Sequence, residues 1–397
     1  MPARLKLTGQ QGTSAIDLLY WRRGKMKDNK LTAAVISAGM IANKAHIPAY
    51  LNLKDKVELL AVCDMNEAVA KATAERFGIP HYYKDAKKML EELRPDLVSV
   101  CTPNASHKYL AAMALELGAN VACEKPLALT YKDTKELFDL AKQKGRLLFA
   151  CQTLRYMDEF SVARELADAG DFGKLYYSEV NLIRRRGIPK WGTFHLLETN
   201  GGGAFCDLGV HMIDSLLWIM GNPAFEAISG STASYIGSSE SNIVTSLAES
   251  GAPAGVFNAR EFSPEEFEVE EFAAGSIRLA GGIRVNFKIS WAVNLPNEFN
   301  MSIAGSKAGL AIPKMEIYST MGRYQADIKP RIFKQGKYEG KDFSGHYYLM
   351  EDAVNYLLGG GTLPVQPEET LNVAAIIDAF YISAKEGREV RAEEVVK

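Results

Sequence analysis

Between Leu31 and Cys151 the chain alternates short apolar runs with longer stretches whose apolar residues recur at helical spacing. Thr32 to Ile36, Val57 to Asp64, His81 to Tyr83, Asp96 to Cys101, residues 119 to 124 and Leu147 to Cys151 read as strands. A helical stretch to about Tyr50, a helix through Phe77 stopped by Gly78 and Pro80, and helices over 85 to 93, 105 to 117 and 130 to 144 fill the intervals. Strands apolar on both faces must be covered on both faces, so this half predicts an α/β fold, a doubly wound parallel sheet between two layers of helix.

Past Gln152 the pattern changes. Residues 158 to 169 read as a helix ended near Gly170, Leu175 to Ile183 as a strand, and apolar positions 208, 212, 213, 216, 217, 219 and 220 as a buried helix running to Gly221. From about Ala224 to Lys334 short segments alternate apolar with polar, as in Phe267 to Phe272 and Ile283 to Ile289. Period two with one polar face predicts an α+β unit built on a large, mostly antiparallel open sheet. Helices from His346 to Leu358 and Glu368 to Glu386 follow. The expected division is a loose extension over 1–30, a first domain over 31–152 and a second over 153–397. One face of the second sheet is expected to carry helices and the other to pair with a second copy, as a homodimer or homotetramer.

Composition narrows the function classes. With 397 residues, 47% apolar and 24% charged, the chain suits two globular domains. A formal charge of -2 and the lack of a basic stripe leave no footprint for nucleic acid, so a small molecule is the expected partner. No run approaches the length of a membrane span. The apolar stretch from Ile16 to Trp21 is short and broken by Asp17, unlike a secretory signal, and Met26 offers an alternative start. Five widely spaced cysteines with no C-x-x-C pair fit a reducing cytosol, and those ending strands (Cys63, Cys101, Cys123, Cys151) read as buried packing residues.

The turn Ser37-Ala38-Gly39-Met40-Ile41-Ala42 follows G-x-G-x-x-A with serine in the first glycine position. Gly39 would let the backbone approach a pyrophosphate, Ala42 would let helix and strand pack closely, and Ser37 is expected to make the turn at negative φ. Asp64, 25 residues after Gly39 at the end of the second strand, would accept the adenosine ribose hydroxyls or cap the next helix. Met65 and Asn66 follow it, with no arginine for a 2′-phosphate, which favours NAD over NADP. Thr102, Pro103 and Asn104 close the fourth strand, flanking the nicotinamide end. Asn104 is placed to cap the following helix, in whose first turn His107 falls, and Ser37, Gly39, Met40, Ile41, Asp64, Thr102, Pro103, Asn104, His107, Glu124 and Lys125 together make the expected cofactor site. The run Asn120 to Cys123 stops at Glu124-Lys125-Pro126, delivering a lysine to the carboxyl edge of the sheet, where ligands bind in open α/β folds. A solvated Glu-Lys pair is the bland alternative.

The Ser37 to Ala42 turn, Cys101-Thr102-Pro103-Asn104 and Cys123-Glu124-Lys125-Pro126, at these separations, resemble the glucose-fructose oxidoreductase / inositol dehydrogenase / rhizopine catabolism (Gfo/Idh/MocA) family over about residues 31 to 390. The resemblance implies that Lys125 reaches the reacting hydroxyl beside the nicotinamide. It also gives meaning to Asp207 and His211, which follow the Gly201-Gly202-Gly203 run four residues apart on one helical face and match the family's catalytic pair. Read alone, His211 is a core histidine whose second nitrogen Asp214 would hold, and the glycines make a pliant loop. No metal is expected: Asp207 and His211 are too few ligands, and His195 with Glu198 does not complete a set.

Arg184-Arg185-Arg186 leads through Gly187, Ile188, Pro189 and Lys190 to Trp191. The run is either a solvated turn or a sugar-facing loop, in which guanidinium donors meet hydroxyls and an indole stacks on C–H faces. On the second reading, which resembles the family's glucoside 3-dehydrogenase-type members, Arg155, Arg186 and Trp191 join Lys125, Asp207 and His211 at the substrate. His211 would take the hydroxyl proton, Lys125 would donate to the same oxygen and Asp207 would orient both. Oxidation at C3 of a glucoside is the leading expectation. A myo-inositol 2-dehydrogenase-type activity, glycoside cleavage through a transient keto-sugar and a non-catalytic nucleotide sensor remain alternatives.

Overall fold

The computed structural model describes residues 30–239, 262–332, 337–338 and 340–396; the expected N-terminal extension and the alternative start at Met26 lie outside them. The first sheet is formed by β1 (Leu31–Ile36), β2 (Val57–Cys63), β3 (His81–Tyr83), β4 (Leu97–Val100), β5 (Asn120–Cys123) and β6 (Leu148–Ala150). Its order is β3-β2-β1-β4-β5-β6 with every pair parallel, the doubly wound order whose switch point lies between β1 and β4. Alternation divides β1 between two cores: Leu31, Ala33 and Val35 enter one, Ala34 and Ile36 the other. The second of these cores is closed by α3 (Ala86–Leu93), α4 (His107–Glu116) and α5 (Tyr131–Lys144), with Met89, Ala111, Leu115 and Leu137 among the buried residues. The first contains Ile47 and Tyr50 of α1 (Ile47–Asn52) and Ala74 of α2 (Glu67–Phe77).

Helix α9 (Ser344–Leu357) packs there too, against α1 and the turn before it, with Leu349, Met350, Ala353 and Val354 buried in the same core as Leu31, Ala33 and Val35. In sequence it follows the strands of the second sheet, yet its buried residues share the core of the first.

Among the described residues the second sheet has nine strands: β7 (Leu175–Ile183), β8 (Phe225–Ala233), β9 (Phe272–Leu279), β10 (Ile283–Ser290), β11 (Glu298–Gly305), β12 (Gly309–Ile312), β13 (Glu316–Met321), β14 (Tyr324–Ile328) and β15 (Val390–Arg391). All pairs are antiparallel except β7 with β10. On β10, Ile283, Val285, Phe287 and Ile289 are buried while Arg284 and Asn286 are exposed. The apolar face packs on α6 (Asp158–Asp168), α8 (Val210–Ile219) and α10 (Pro367–Glu386) through Phe160, Ile213, Leu216 and Phe380, and the single turn α7 (Leu197–Asn200) precedes α8. One expected strand is absent: residues 267–271 are irregular, because the Glu270 and Glu271 side chains turn inward to bond loop backbone instead of alternating on a sheet.

Candidate active site

After β1 the chain turns at Ser37, whose φ is +86°. The expectation of negative φ is overturned. A left-handed non-glycine residue costs on the order of 1–3 kcal/mol. Two bonds offset that cost: Ser37 N donates to Cys63 O at 2.7 Å, and Ser37 Oγ accepts from Gly39 N at 3.1 Å. Asn43, which the sequence reading missed, pins the turn from inside by donating to Ala38 O (2.6 Å) and Gly39 O (2.9 Å). Met40 and Ile41 are partly exposed beside Gly39. Asp64 accepts from Ala38 N (2.9 Å) and Asn66 N (2.9 Å), and Asn66 rather than Asp64 caps α2.

Glu124 and Lys125, at the end of β5, are not a solvated pair. Glu124 is 7% exposed; its Oε1 accepts from His46 Nε2 (2.8 Å) and His346 Nε2 (3.0 Å), and its Oε2 faces Lys125 N at 3.3 Å. These imidazole donors outweigh burial and hold the carboxyl well below the usual range, so it is ionised. His46 is held neutral by burial, and its Nδ1 meets Ser99 Oγ at 2.9 Å, which in turn meets Tyr50 OH at 2.7 Å. Lys125 precedes a cis peptide bond to Pro126. Its Nζ donates to Asp207 Oδ1 (2.9 Å) and Asp207 O (3.0 Å). Burial opposes the ammonium, but Asp207 and then Glu124 carry its pKa above the ordinary lysine value.

Asp207 lies in a π-turn (Phe205–Gly209) that runs into α8. Trp291 Nε1 donates to its other oxygen at 3.1 Å, so the carboxylate is fixed between a lysine from the first sheet and an indole from the second. Against burial, Lys125 and Arg184 keep Asp207 ionised. The glycine run before it is close-packed, not pliant. A Cβ on Gly203 would lie 1.9 Å from Glu270 O, and one on Gly202 would lie 2.1 Å from Tyr381 OH. Buried Glu270 takes the N–H groups of Gly203 (2.8 Å) and Phe205 (2.9 Å) and the hydroxyl of Tyr381 (2.9 Å). His211, one turn beyond Asp207, is half-buried and titrates at about 3, pushed down by burial and then by Lys125. Its Nδ1 has no hydrogen-bond partner among the described residues, and Asp214, expected to hold it, is bonded to Arg155.

Several expected contacts fall elsewhere. Arg155 is 4% exposed and spends its guanidinium on Asp214 (2.8 and 2.5 Å) and Glu369 (2.5 Å), joining α8 to α10 instead of meeting substrate. Arg186 is used by the backbone of Arg185 and Val293 and by Asn294 Oδ1, which fastens two loops. Its neighbour Arg184 is the arginine whose charge acts on Asp207. Trp191 is 8% exposed and packs edge-on against Phe194. Asn104 does not cap α4; it donates to Asn200 O and Oδ1 (both 2.9 Å), tying the turn after β4 to the glycine loop. His107 is buried between Pro126 O (2.7 Å) and Thr102 O (2.8 Å), a staple between two strand-end turns rather than a surface for the cofactor. Thr102 and Pro103 are at least partly exposed at that edge.

His46, Glu124 and Cys151 bring ligand-type atoms within 4.8 Å of one another. Both imidazoles near Glu124 already bond its carboxylate, and burial raises the Cys151 thiol well above its usual value, so this is a hydrogen-bonded cluster around one anion. All five cysteines are free and buried. No helix among the described residues is long and apolar enough to cross a membrane.

The site thus has an ammonium, a carboxylate and a neutral imidazole at the carboxyl edge of a parallel sheet, next to a glycine turn and a helix start able to take a dinucleotide. Comparison with known proteins agrees. Residues 31–151 match the family described as "Oxidoreductase family, NAD-binding Rossmann fold", and residues 160–311 match the "GFO/IDH/MocA C-terminal domain". D-glucoside 3-dehydrogenase of Escherichia coli (strain K12) is 31% identical over 370 residues, covering 93% of this chain and 99% of that protein. D-apiose dehydrogenase of Paraburkholderia graminis is 23% identical, covering 92% and 91%. The crystal structure of GenD2 from gentamicin A biosynthesis in complex with NAD superposes with a TM-score of 0.72 at 25% identity, covering 93% of this chain and 98% of that one.

Proposed function

The chain belongs to the Gfo/Idh/MocA oxidoreductase family, and we propose that within it the protein oxidises the C3 hydroxyl of a glucoside with NAD, or reduces the corresponding ketone. The observation that carries this reading is the 2.9 Å bond between Lys125 and Asp207, which joins the Rossmann edge to the second sheet one turn from a neutral His211. Its substrate class is supported by the near full-length similarity to D-glucoside 3-dehydrogenase.

When bound, NAD supplies the hydride acceptor. Gly39, with Met40 and Ile41, leaves room for the pyrophosphate at the helix start; Asp64, with no arginine after it, suits the ribose of NAD better than a 2′-phosphate; Thr102 and Pro103 lie toward the nicotinamide end. His211 takes the hydroxyl proton as the carbon-bound hydrogen leaves with its electron pair. Lys125 donates to the oxygen on which charge develops, and Asp207 fixes the ammonium from one side and is fixed by Trp291 from the other. Arg155 and Arg186 have no part in this scheme, since their donors are used within the protein. A second copy of the chain is assigned to the open face of the nine-stranded sheet.

Methyl and aryl glucosides, inositols and aldoses incubated with NAD should be separated by NADH absorbance, with the keto position read by NMR. A 3-keto-glucoside is expected. Release of an aglycone without net NADH would replace the reading by glycoside cleavage, and oxidation of inositol alone would replace its substrate. Lys125→Ala should lower kcat by about a hundredfold or more while NAD affinity changes by less than about threefold. Unchanged turnover would remove Lys125 from the mechanism.

A further inference from the structure

We propose that Glu124, held between His46 and His346, is the positioning residue for Lys125: it fixes a buried negative charge on the residue next to the lysine, with one oxygen 3.3 Å from Lys125 N, so that the nitrogen aimed at Asp207 remains an ammonium donor. The proposal deepens the reading of Lys125 given above and rests on it. Three elements far apart in sequence build the arrangement. His46 ends a π-turn (Ala42–His46) after the glycine turn, Glu124 ends β5, and His346 comes from α9, the helix that returns from the far end of the chain.

A buried carboxylate normally takes up a proton, because burial disfavours the charged form. Here two imidazole N–H groups point at one oxygen, 2.8 and 3.0 Å away, while the other oxygen folds back toward the backbone N–H of Lys125. These N–H donors hydrogen-bond the carboxylate in place of water. Cys101, Cys123 and Cys151 also lie within reach of its charge, and burial keeps their thiols protonated. The groups facing Lys125 are Asp207 and Cys206 from the π-turn before α8, His211 from α8, His107 from α4 and Glu124 itself, with Arg184 acting on Asp207 from the end of β7. Among them Asp207 and Glu124 are the anions that favour the ammonium. Among the described residues only Asp207 is hydrogen-bonded to Lys125 Nζ, so Glu124 acts through its field and through the turn it anchors.

The arrangement also explains why a histidine on a C-terminal helix is aimed into the Rossmann core. Gly345 lets α9 come close: a Cβ there would lie 2.4 Å from Thr153 O. That approach places the ring of His346 edge-on to His46, with ring centres 5.3 Å apart, and both on the same carboxylate oxygen.

The test reads the proton affinity of Lys125 directly. Full-length enzyme would be labelled competitively with acetic anhydride across a pH series, and the Lys125 peptide quantified by mass spectrometry. In Glu124→Gln and in His346→Phe the labelling midpoint should fall by about one unit or more, and in His346→Gln, which restores an N–H donor, it should return most of the way. The basic limb of kcat should move with it, with KM for the sugar changing less than about threefold. Midpoints unchanged in both Glu124→Gln and His346→Phe would overturn the proposal and leave the cluster as packing. Glu124→Gln keeps the shape of the side chain and decides the matter if the phenylalanine variant does not fold. Should no glucoside be oxidised by the unaltered enzyme, the substrate reading fails, while the labelling result still decides the role of Glu124.

Discussion

His211 is a neutral imidazole in the folded protein, and that neutrality makes folding sensitive to acid. Its pKa falls from 6.5 to about 3 on folding, chiefly through burial and then through Lys125, so between those values the unfolded chain holds a proton that the folded, substrate-free protein does not. Stability from this residue is complete above about pH 6.5 and is lost as pH falls toward 3. His46 and His107 are lowered in the same direction by burial. Urea unfolding at about pH 7.5 and about pH 4.5 should show His211→Asn losing on the order of 1–2 kcal/mol less than the unaltered protein across that interval. An equal loss in both would mean that His211 charges freely in the folded state. At this scale the sequence pointed to Lys125, Asp207 and His211 through spacing and resemblance, and the structure joins Lys125 directly to Asp207. It misjudged the arginines, because composition cannot tell which of three adjacent guanidinium groups turns inward. Arg184 acts on Asp207, Arg186 fastens a loop, and Arg155 is enclosed by carboxylates from two helices.

At the scale of elements, the loop before α8 is held by a buried acid. Glu270 receives two loop N–H groups and the Tyr381 hydroxyl, and its backbone passes so close to Gly203 that only a hydrogen fits. Gly203→Ala must therefore push the loop away from Glu270 and carry Asp207 with it. A loss of about 3 kcal/mol in unfolding free energy is expected, together with a fall in kcat, and an alanine variant of normal stability would contradict the packing described. The sequence showed the glycine run but gave the wrong reason for it. It also placed a strand over 267–272, since Phe-Glu-Val-Glu alternates as a half-exposed strand does. What competes is the pull of unpaired loop amides on Glu270 and on Glu271, whose carboxylate takes three backbone N–H groups from residues 235–237. Those partners lie more than thirty residues away and leave no local mark.

In the whole molecule, the open face of the nine-stranded sheet presents Tyr177, Glu179, Arg284, Asn286, Lys288 and Tyr318 in adjacent rows. Light scattering at micromolar concentration should find a dimer or tetramer, and a monomer would reject the assignment of that face to a second copy. The parallel first sheet, the change to an antiparallel second one and the positions of most helices were determined by the sequence alone, because burial on one or two faces imposes a period that local residues must obey. The tertiary structure decided the rest: that α9 returns to the first sheet, that His346 meets His46 on one carboxylate, and that Trp291 and Lys125 grip Asp207 from opposite sides. Such pairings are made between segments up to 222 residues apart. They satisfy buried charges and amides whose partners are chosen by the packing of whole elements, and periodicity carries no information about that choice.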